Sequence, residues 1–281
     1  MMPTLAPNTQ KTSAANWGAG ARALPLLLLW VAAALQAACA ADEAPQKIDD
    51  VSSWLWRNFD TASDEEMANA FVSLGGVVTP VTADEPLKAL IDRLKGPDVA
   101  LVGRSDGDPA KAVGMLVITD IACKISQVNA IHVHDRQDEL HAGAYKSYKR
   151  TYKGNRDDYL AGKAARLEWN TELESDYARE KLAGAMRRIP DLGKERSPFG
   201  TTLVSRTFLS EPATKTHWPQ DYQIDAYFER KPGRVVHLFA VWREAEFSGL
   251  SSENSGLQNI QMKGFVDWDK EVEKACASGK F

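Results

Sequence analysis

Leu167-Glu168-Trp169-Asn170-Thr171-Glu172-Leu173-Glu174, continuing through Ser175 and Asp176 to Tyr177, has a clear period of two. Leu167, Trp169, Thr171, Leu173 and Tyr177 face one way. Glu168, Asn170, Glu172, Glu174 and Asp176 face the other. Successive side chains on an extended chain point to opposite faces, so this is a half-buried antiparallel strand. Working outward, Leu182 to Ile189 supplies a hairpin partner, and Thr202 to Leu209 another strand. Tyr222, Ile224, Ala226 and Phe228 then alternate against Gln223, Asp225, Tyr227 and Glu229. Pro232-Gly233 makes a turn, since glycine tolerates the positive φ of a type II turn. Val235 to Trp242 follows as a strand apolar on both faces. Upstream, the β-branched run Val113 to Thr119 predicts a buried strand.

Helical patterns flank these strands. Lys124 to His132 and Gln137 to Ala142 read as short helices, and Tyr145 to Lys153 fits a helix as well as a strand. Ser251 or Ser252 is the expected cap of a long last helix with the inner stripe Leu257, Ile260, Gly264, Phe265, Trp268, Val272 and Cys276. The segment before residue 111 is expected to be helical. Val51, Leu55 and Phe59 mark one helix; Ser63 and Glu66 form a capping box for a second that ends at Gly75-Gly76. Asp84 and Pro86 open a third, with Leu87, Leu90, Ile91 and Leu94 on one side, stopped by Gly96-Pro97. Val99 to Val102 reads as a short strand, and the turn-rich Arg104 to Ala110 as a boundary.

The chain of 281 residues has 34 Lys+Arg against 38 Asp+Glu, a net charge of −4, and 44% hydrophobic residues. Those values are ordinary for a globular protein and exclude a disordered chain, a multi-span membrane protein and a wholly basic nucleic-acid binder. Residues 1–38 read as a secretory signal: Lys11 and Arg22 without an acid, then an apolar run from Leu24 to Ala38. Two processing routes stay open. Cys39 after Ala37 and Ala38 resembles a bacterial lipobox, with lipidation of Cys39 and membrane anchoring, although Gln36 stands where leucine is expected. Ala38-Cys39-Ala40 also fits an A-x-A site, with cleavage before Ala41 and no lipid. Residues 39–47 form a tether, 48–110 a helical extension, and 111–281 the main domain. The expected location is the periplasm or outer membrane of a bacterium. Cys123 and Cys276 remain as an even pair in an oxidising compartment; one disulfide is predicted, against the alternative of two buried thiols.

The order from Val113 is strand, two short helices, antiparallel strands and a long final helix. It resembles the helix-grip fold of the START-like, polyketide-cyclase-like superfamily (SRPBCC). That resemblance implies an α+β fold in which a curved antiparallel sheet of about seven strands wraps the C-terminal helix, with an apolar cavity between them. It also implies that Cys276, at the end of the long helix, lies near Cys123, where the first short helix begins.

In that cavity Trp169, Leu173, Ile224, Phe228, Leu238, Trp242, Phe265 and Trp268 would line a ligand pocket or, if the helix packs tightly, form core. A second candidate is the basic-aromatic stretch holding Lys146, Lys149, Arg150, Lys153 and Arg156, weighed against a solvated strand. His132, His134, Asp135 and His141 could hold a metal only on a strand, and on the helix expected there they diverge. No metal site is expected, since HExxH and a second ligand cluster are absent, and no cofactor or catalytic constellation, since G-x-S-x-G, P-loop and G-x-G-x-x-G patterns are absent too. His237 reads as a satisfied core histidine. The expectation is an exported cell-envelope protein that binds an apolar or lipid-like molecule without catalysis, with gating by the loops around Gly143 and Gly249. The alternative is an envelope structural or protein-interaction lipoprotein with a filled core. No nucleic-acid partner is expected, and no protein partner is indicated.

Overall fold

A computed structural model describes residues 47–78, 81, 85–212 and 217–280. The export segment, Cys39 and all but the last residue of the tether lie outside the described residues. Two helices come first, α1 (Ile48–Asn58) and α2 (Asp64–Val77). Strand β1 (Leu87–Ile91), helix α3 (Gly96–Ala100) and a 3-10 turn at Pro109–Lys111 lead to β2 (Val113–Ile121). Helices α4 (Ile125–His132) and α5 (Gln137–Leu140) precede β3 (Ser147–Tyr152) and α6 (Arg156–Leu160). Four long strands and one shorter follow without an intervening α-helix: β4 (Arg166–Glu174), β5 (Arg179–Ile189), β6 (Thr202–Leu209), β7 (Gln220–Lys231) and β8 (Arg234–Glu244). A small ribbon, β9 (Glu246–Phe247) with β10 (Leu250–Ser251), hands the chain to α7 (Ser255–Ser278).

The eight strands form one antiparallel sheet in the order β1-β2-β8-β7-β6-β5-β4-β3. The helix-grip resemblance implies about seven; the additional strand is β1, expected as a helix because Leu87, Leu90 and Ile91 have helical spacing. Pairing of Leu87–Ile91 with Gly114–Ile118 overrides that local pattern, since an edge strand satisfies its backbone on β2. Val99 lies in α3 rather than in a strand.

Both faces of the sheet are covered. On the outer face, Trp54, Trp56, Phe59, Met67, Phe71 and Leu74 from α1 and α2 pack on Tyr222, Ile224, Phe228, Leu238 and Trp242. Ion pairs fix that layer: Asp60 meets Arg166 at 2.7 Å and also Arg206, and Asp64 meets Arg187 at 2.7 Å. The Ser63 capping box forms as expected. Helix α2 does not stop at Gly75-Gly76; it runs through them, and Gly75 is needed because the Phe199 ring lies 2.3 Å from where a Cβ would stand.

On the inner face α7 packs along β2 and β8, with Met262, Phe265 and Val266 on Met115, Val117, Phe239 and Val241. Its N-cap is Asn254, whose side chain accepts from the Leu257 amide, and not a serine. Ser252 instead bonds the backbone of Ala245. The real inward stripe is Leu257, Gln258, Met262, Val266, Asp269, Ala275 and Cys276; Ile260 is 70% exposed. Cys123 and Cys276 form a disulfide with Cα atoms 5.6 Å apart, tying the end of α7 to the start of α4.

Candidate functional site

The inner face divides into a closed end and a hollow end. At the closed end Leu167, Met186, Leu203, Tyr227 and Val235 are buried beneath α4, α6 and the last turns of α7. Beyond it, Leu182, Thr207 and Gln223 sit on central strands β5, β6 and β7 yet remain partly exposed. Their outer-face neighbours Tyr222, Ile224 and Ala226 are fully buried. Solvent therefore reaches the middle of the sheet from the α7 side, while on the outer face Ala183 and Phe208 are partly exposed as well. Space there comes from a helix that leans on β2 and β8 and from the short side chain of Thr207.

Three cross-strand rows on β3, β4 and β5 form one wall of this hollow: Tyr148–Leu173–Glu180, Arg150–Thr171–Leu182 and Tyr152–Trp169–Gly184. The Trp169 indole lies flat across Gly184, 2.4 Å from where a Cβ would stand, so no larger residue fits there. The Arg150 guanidinium stacks over Trp169 at 4.8 Å. Its Nη1 donates to the His132 carbonyl at 2.7 Å, at the end of α4. The opposite wall is α7 with Gln261 and Phe265, and Arg243 reaches Gln261 at 3.3 Å.

Buried polar atoms concentrate on these walls. Tyr148 Oη, Arg150 Nε, Thr171 Oγ1, Glu180 Oε1 and Gln261 Nε2 make no hydrogen bond of ordinary geometry. Buried polar atoms in native proteins are nearly always paired, with water or a ligand where protein does not serve. Burial pushes the Glu180 carboxyl up to about 7, helped by the nearby Asp221 charge and opposed by Arg243. Burial likewise raises the Tyr148 phenol, against Arg150.

Below the hollow runs a satisfied network. His132 bridges Ser205 Oγ through Nε2 and Tyr227 Oη through Nδ1, both at 3.0 Å. His237 stacks on Tyr227 at 4.2 Å and lies between Asp225 (3.1 Å) and Asp269 (2.9 Å). Thr119 donates to Asp269 at 2.6 Å. Burial alone depresses both histidines. For His237 the two aspartates override it and raise the pKa to about 9; His132 stays near 4 and neutral. The Ser205–His132 pair has the form of a nucleophile and base, but Ser205 is fully buried, so no substrate reaches it. The network fastens α4 and α7 to the sheet, as expected of a satisfied core histidine.

The eight expected cavity residues are not brought together. Trp169, Leu173 and Phe265 are on the α7 side; Ile224, Phe228, Leu238 and Trp242 are in the outer core, and Trp268 is 46% exposed, stacked on His141. On β4 the apolar phase faces α7 as expected; on β7 and β8 it faces α1 and α2, which leaves the more polar phase of β7 for the hollow. Tyr148, Thr171, Glu180, Gln223 and Gln261 were missed as a group. Polar residues in a strand's inward phase were the available signal.

The basic stretch is also divided. Arg150 turns inward, while Lys146 pairs with Asp176 at 2.7 Å and Arg156 with Asp135 at 3.3 Å. Lys149 and Lys153 are exposed, with Lys149 opposite Glu172. His132, His134 and His141 do not converge, and both ring nitrogens of His132 are engaged. Among the described residues no cluster could hold a metal ion.

Strands β2 to β8 in the order 2-8-7-6-5-4-3, two short helices after the first of them, and a long final helix across the inner face complete the pattern. The chain has a helix-grip fold. No family model and no curated protein matches the sequence. Solved structures do. The human StarD13 lipid transfer and protein localization domain is 12% identical, over 68% of this chain and 86% of that one, with a TM-score of 0.40. A START superfamily protein from Mycobacterium smegmatis is 9% identical, over 59% and 97%, with a TM-score of 0.36. The Zhui aromatase/cyclase from a Streptomyces species is 7% identical, over 59% and 92%, with a TM-score of 0.34.

Proposed function

We propose that this helix-grip protein binds an amphipathic small molecule, without catalysis, between the sheet and α7. The carrying observation is the hollow itself: partly exposed side chains at the centre of the sheet, ringed by buried polar atoms without partners. The apolar part of the ligand would lie against Leu182, Phe239 and Phe265, and its polar end against Tyr148, Thr171, Glu180 and Gln261. A wholly apolar molecule would leave those polar atoms unpaired, at about 1–3 kcal/mol each, so the ligand carries hydrogen-bonding groups. Export to a bacterial cell envelope, with anchoring through Cys39, belongs to the same reading; the order of the first 43 residues and the disulfide support it. Native mass spectrometry of protein purified from its own host tests the binding. A bound amphiphile is expected. Ligand-free protein that also fails to take up fluorescent amphiphiles would refute the proposal.

A further inference from the structure

The strongest chemical feature of the hollow is Arg150. Half-buried, it contacts no carboxylate within 4 Å among the described residues, whereas Arg187, Arg206, Arg230 and Arg243 each meet an aspartate. Its Nη1 is engaged by backbone carbonyls at the end of α4, and Trp169 holds the guanidinium plane flat. That leaves the buried Nε edge, the edge that meets a carboxylate side-on, without a partner. Two further donors flank it. Thr171 is directly opposite Arg150 on β4, and Tyr148 lies two residues along the same face of β3, its phenol close to both the Thr171 hydroxyl and the Arg150 guanidinium.

A desolvated guanidinium with no anion beside it is costly, and a bound anion relieves that cost. We infer that the hollow selects a ligand with a carboxylate head group, seated on the Nε edge of Arg150 between the Tyr148 and Thr171 hydroxyls. A single negative charge fits better than a phosphate. Among the described residues lining the hollow Arg150 is the guanidinium without a carboxylate, and the Glu180 carboxyl stands in the adjoining row, one strand beyond Leu173. This inference rests on the amphiphile-binding reading and specifies its polar end.

The test compares dodecanoate with dodecanamide, which has the same chain and nearly the same shape but no charge, by titration calorimetry at pH 6. Dodecanoate is expected to bind about 10- to 100-fold more tightly, the usual effect of a charge-assisted hydrogen bond in a shielded site. Arg150→Met is expected to reduce the ratio of the two affinities to about one, whatever it does to the binding of either probe alone, and Arg150→Lys to restore part of that ratio. Equal binding of both probes by the native protein overturns the carboxylate inference and leaves the amphiphile reading standing. Binding of neither overturns both. A preference that persists in Arg150→Met places the head group elsewhere and overturns this assignment.

Discussion

The buried His237 bridge makes stability fall with alkaline pH, in a window where it is the dominant shifted group among the described residues. The native pKa is raised from 6.5 to about 9. A group whose folded pKa is raised stabilises fully below its unfolded pKa, and the contribution is lost as pH rises through the folded pKa. The groups facing His237 are Asp225 and Asp269, which accept hydrogen bonds from its two ring N–H groups, Tyr227 beneath it, and neutral His132 on α4. Other shifted groups titrate elsewhere: His132 and His141 lie near 4, and Glu180 near 7. Between pH 7.5 and 9 the remaining dependence is therefore that of His237. Linkage over that interval gives a loss of about 1.5 kcal/mol, from a limiting slope of about 1.4 kcal/mol per pH unit. Urea unfolding with the disulfide intact reads this as a midpoint lowered by about half a molar. His237→Gln keeps the volume and a hydrogen bond, lowers stability at pH 7.5, and removes the slope. A native midpoint that does not move between pH 7.5 and 9, or a slope that survives in His237→Gln, refutes the bridge as a protonated histidine.

Other consequences are as direct. Gly184→Val drives a side chain into the Trp169 indole; a loss of about 1–3 kcal/mol and an altered near-ultraviolet circular dichroism spectrum are expected. Replacing Cys123 and Cys276 together by serine opens a link between positions 153 residues apart. The chain-entropy model puts that loss at about 5 kcal/mol, readable as a lowered thermal midpoint that added reductant no longer changes. Glu180, with a carboxyl pushed up to about 7 by burial and by Asp221, and with Arg243 and Tyr145 also near, carries a charge at pH 8 that it lacks at pH 6. Dodecanoate should therefore bind more weakly at pH 8, and Glu180→Gln should flatten that dependence in calorimetric titrations.

Much of the fold is written in local pattern. The strict alternation at Leu167–Glu174, the apolar run at Val113–Thr119 and the Pro232-Gly233 turn each dictate an element through interactions within a few residues. Gly233 has φ +75°, as that turn needs. The Ser63–Glu66 box caps its helix for the same reason. Strand β1 was not legible because its cause is long-range: Leu87–Ile91 is extended only because β2 offers it an edge. The site suffered from a different ambiguity. Alternation tells which residues share a face but not which face meets the long helix. With α1 and α2 on the outer side, Ile224, Phe228, Leu238 and Trp242 found a home that the pattern of those strands could not reveal. The chemical clue ran opposite to the hydrophobic one, in Thr171, Gln223 and Asp225.

A sheet that packs on one side only must fill its single core to stay folded. Here Trp54, Trp56, Phe59, Phe71, Phe228 and Trp242 anchor the strands from behind. The front shares that duty only at its closed end and along β2 and β8, where α4, α6 and α7 bury Leu167, Met186, Val117 and Val241. Substitutions that reshape the wall at Leu173, Leu182 or Thr207 leave that rear anchorage untouched, so the helix-side lining is free to diverge between relatives while the scaffold persists. The two-helix layer is thus what makes a polar, partly exposed helix-side face tolerable, and that lining can change without rebuilding the fold.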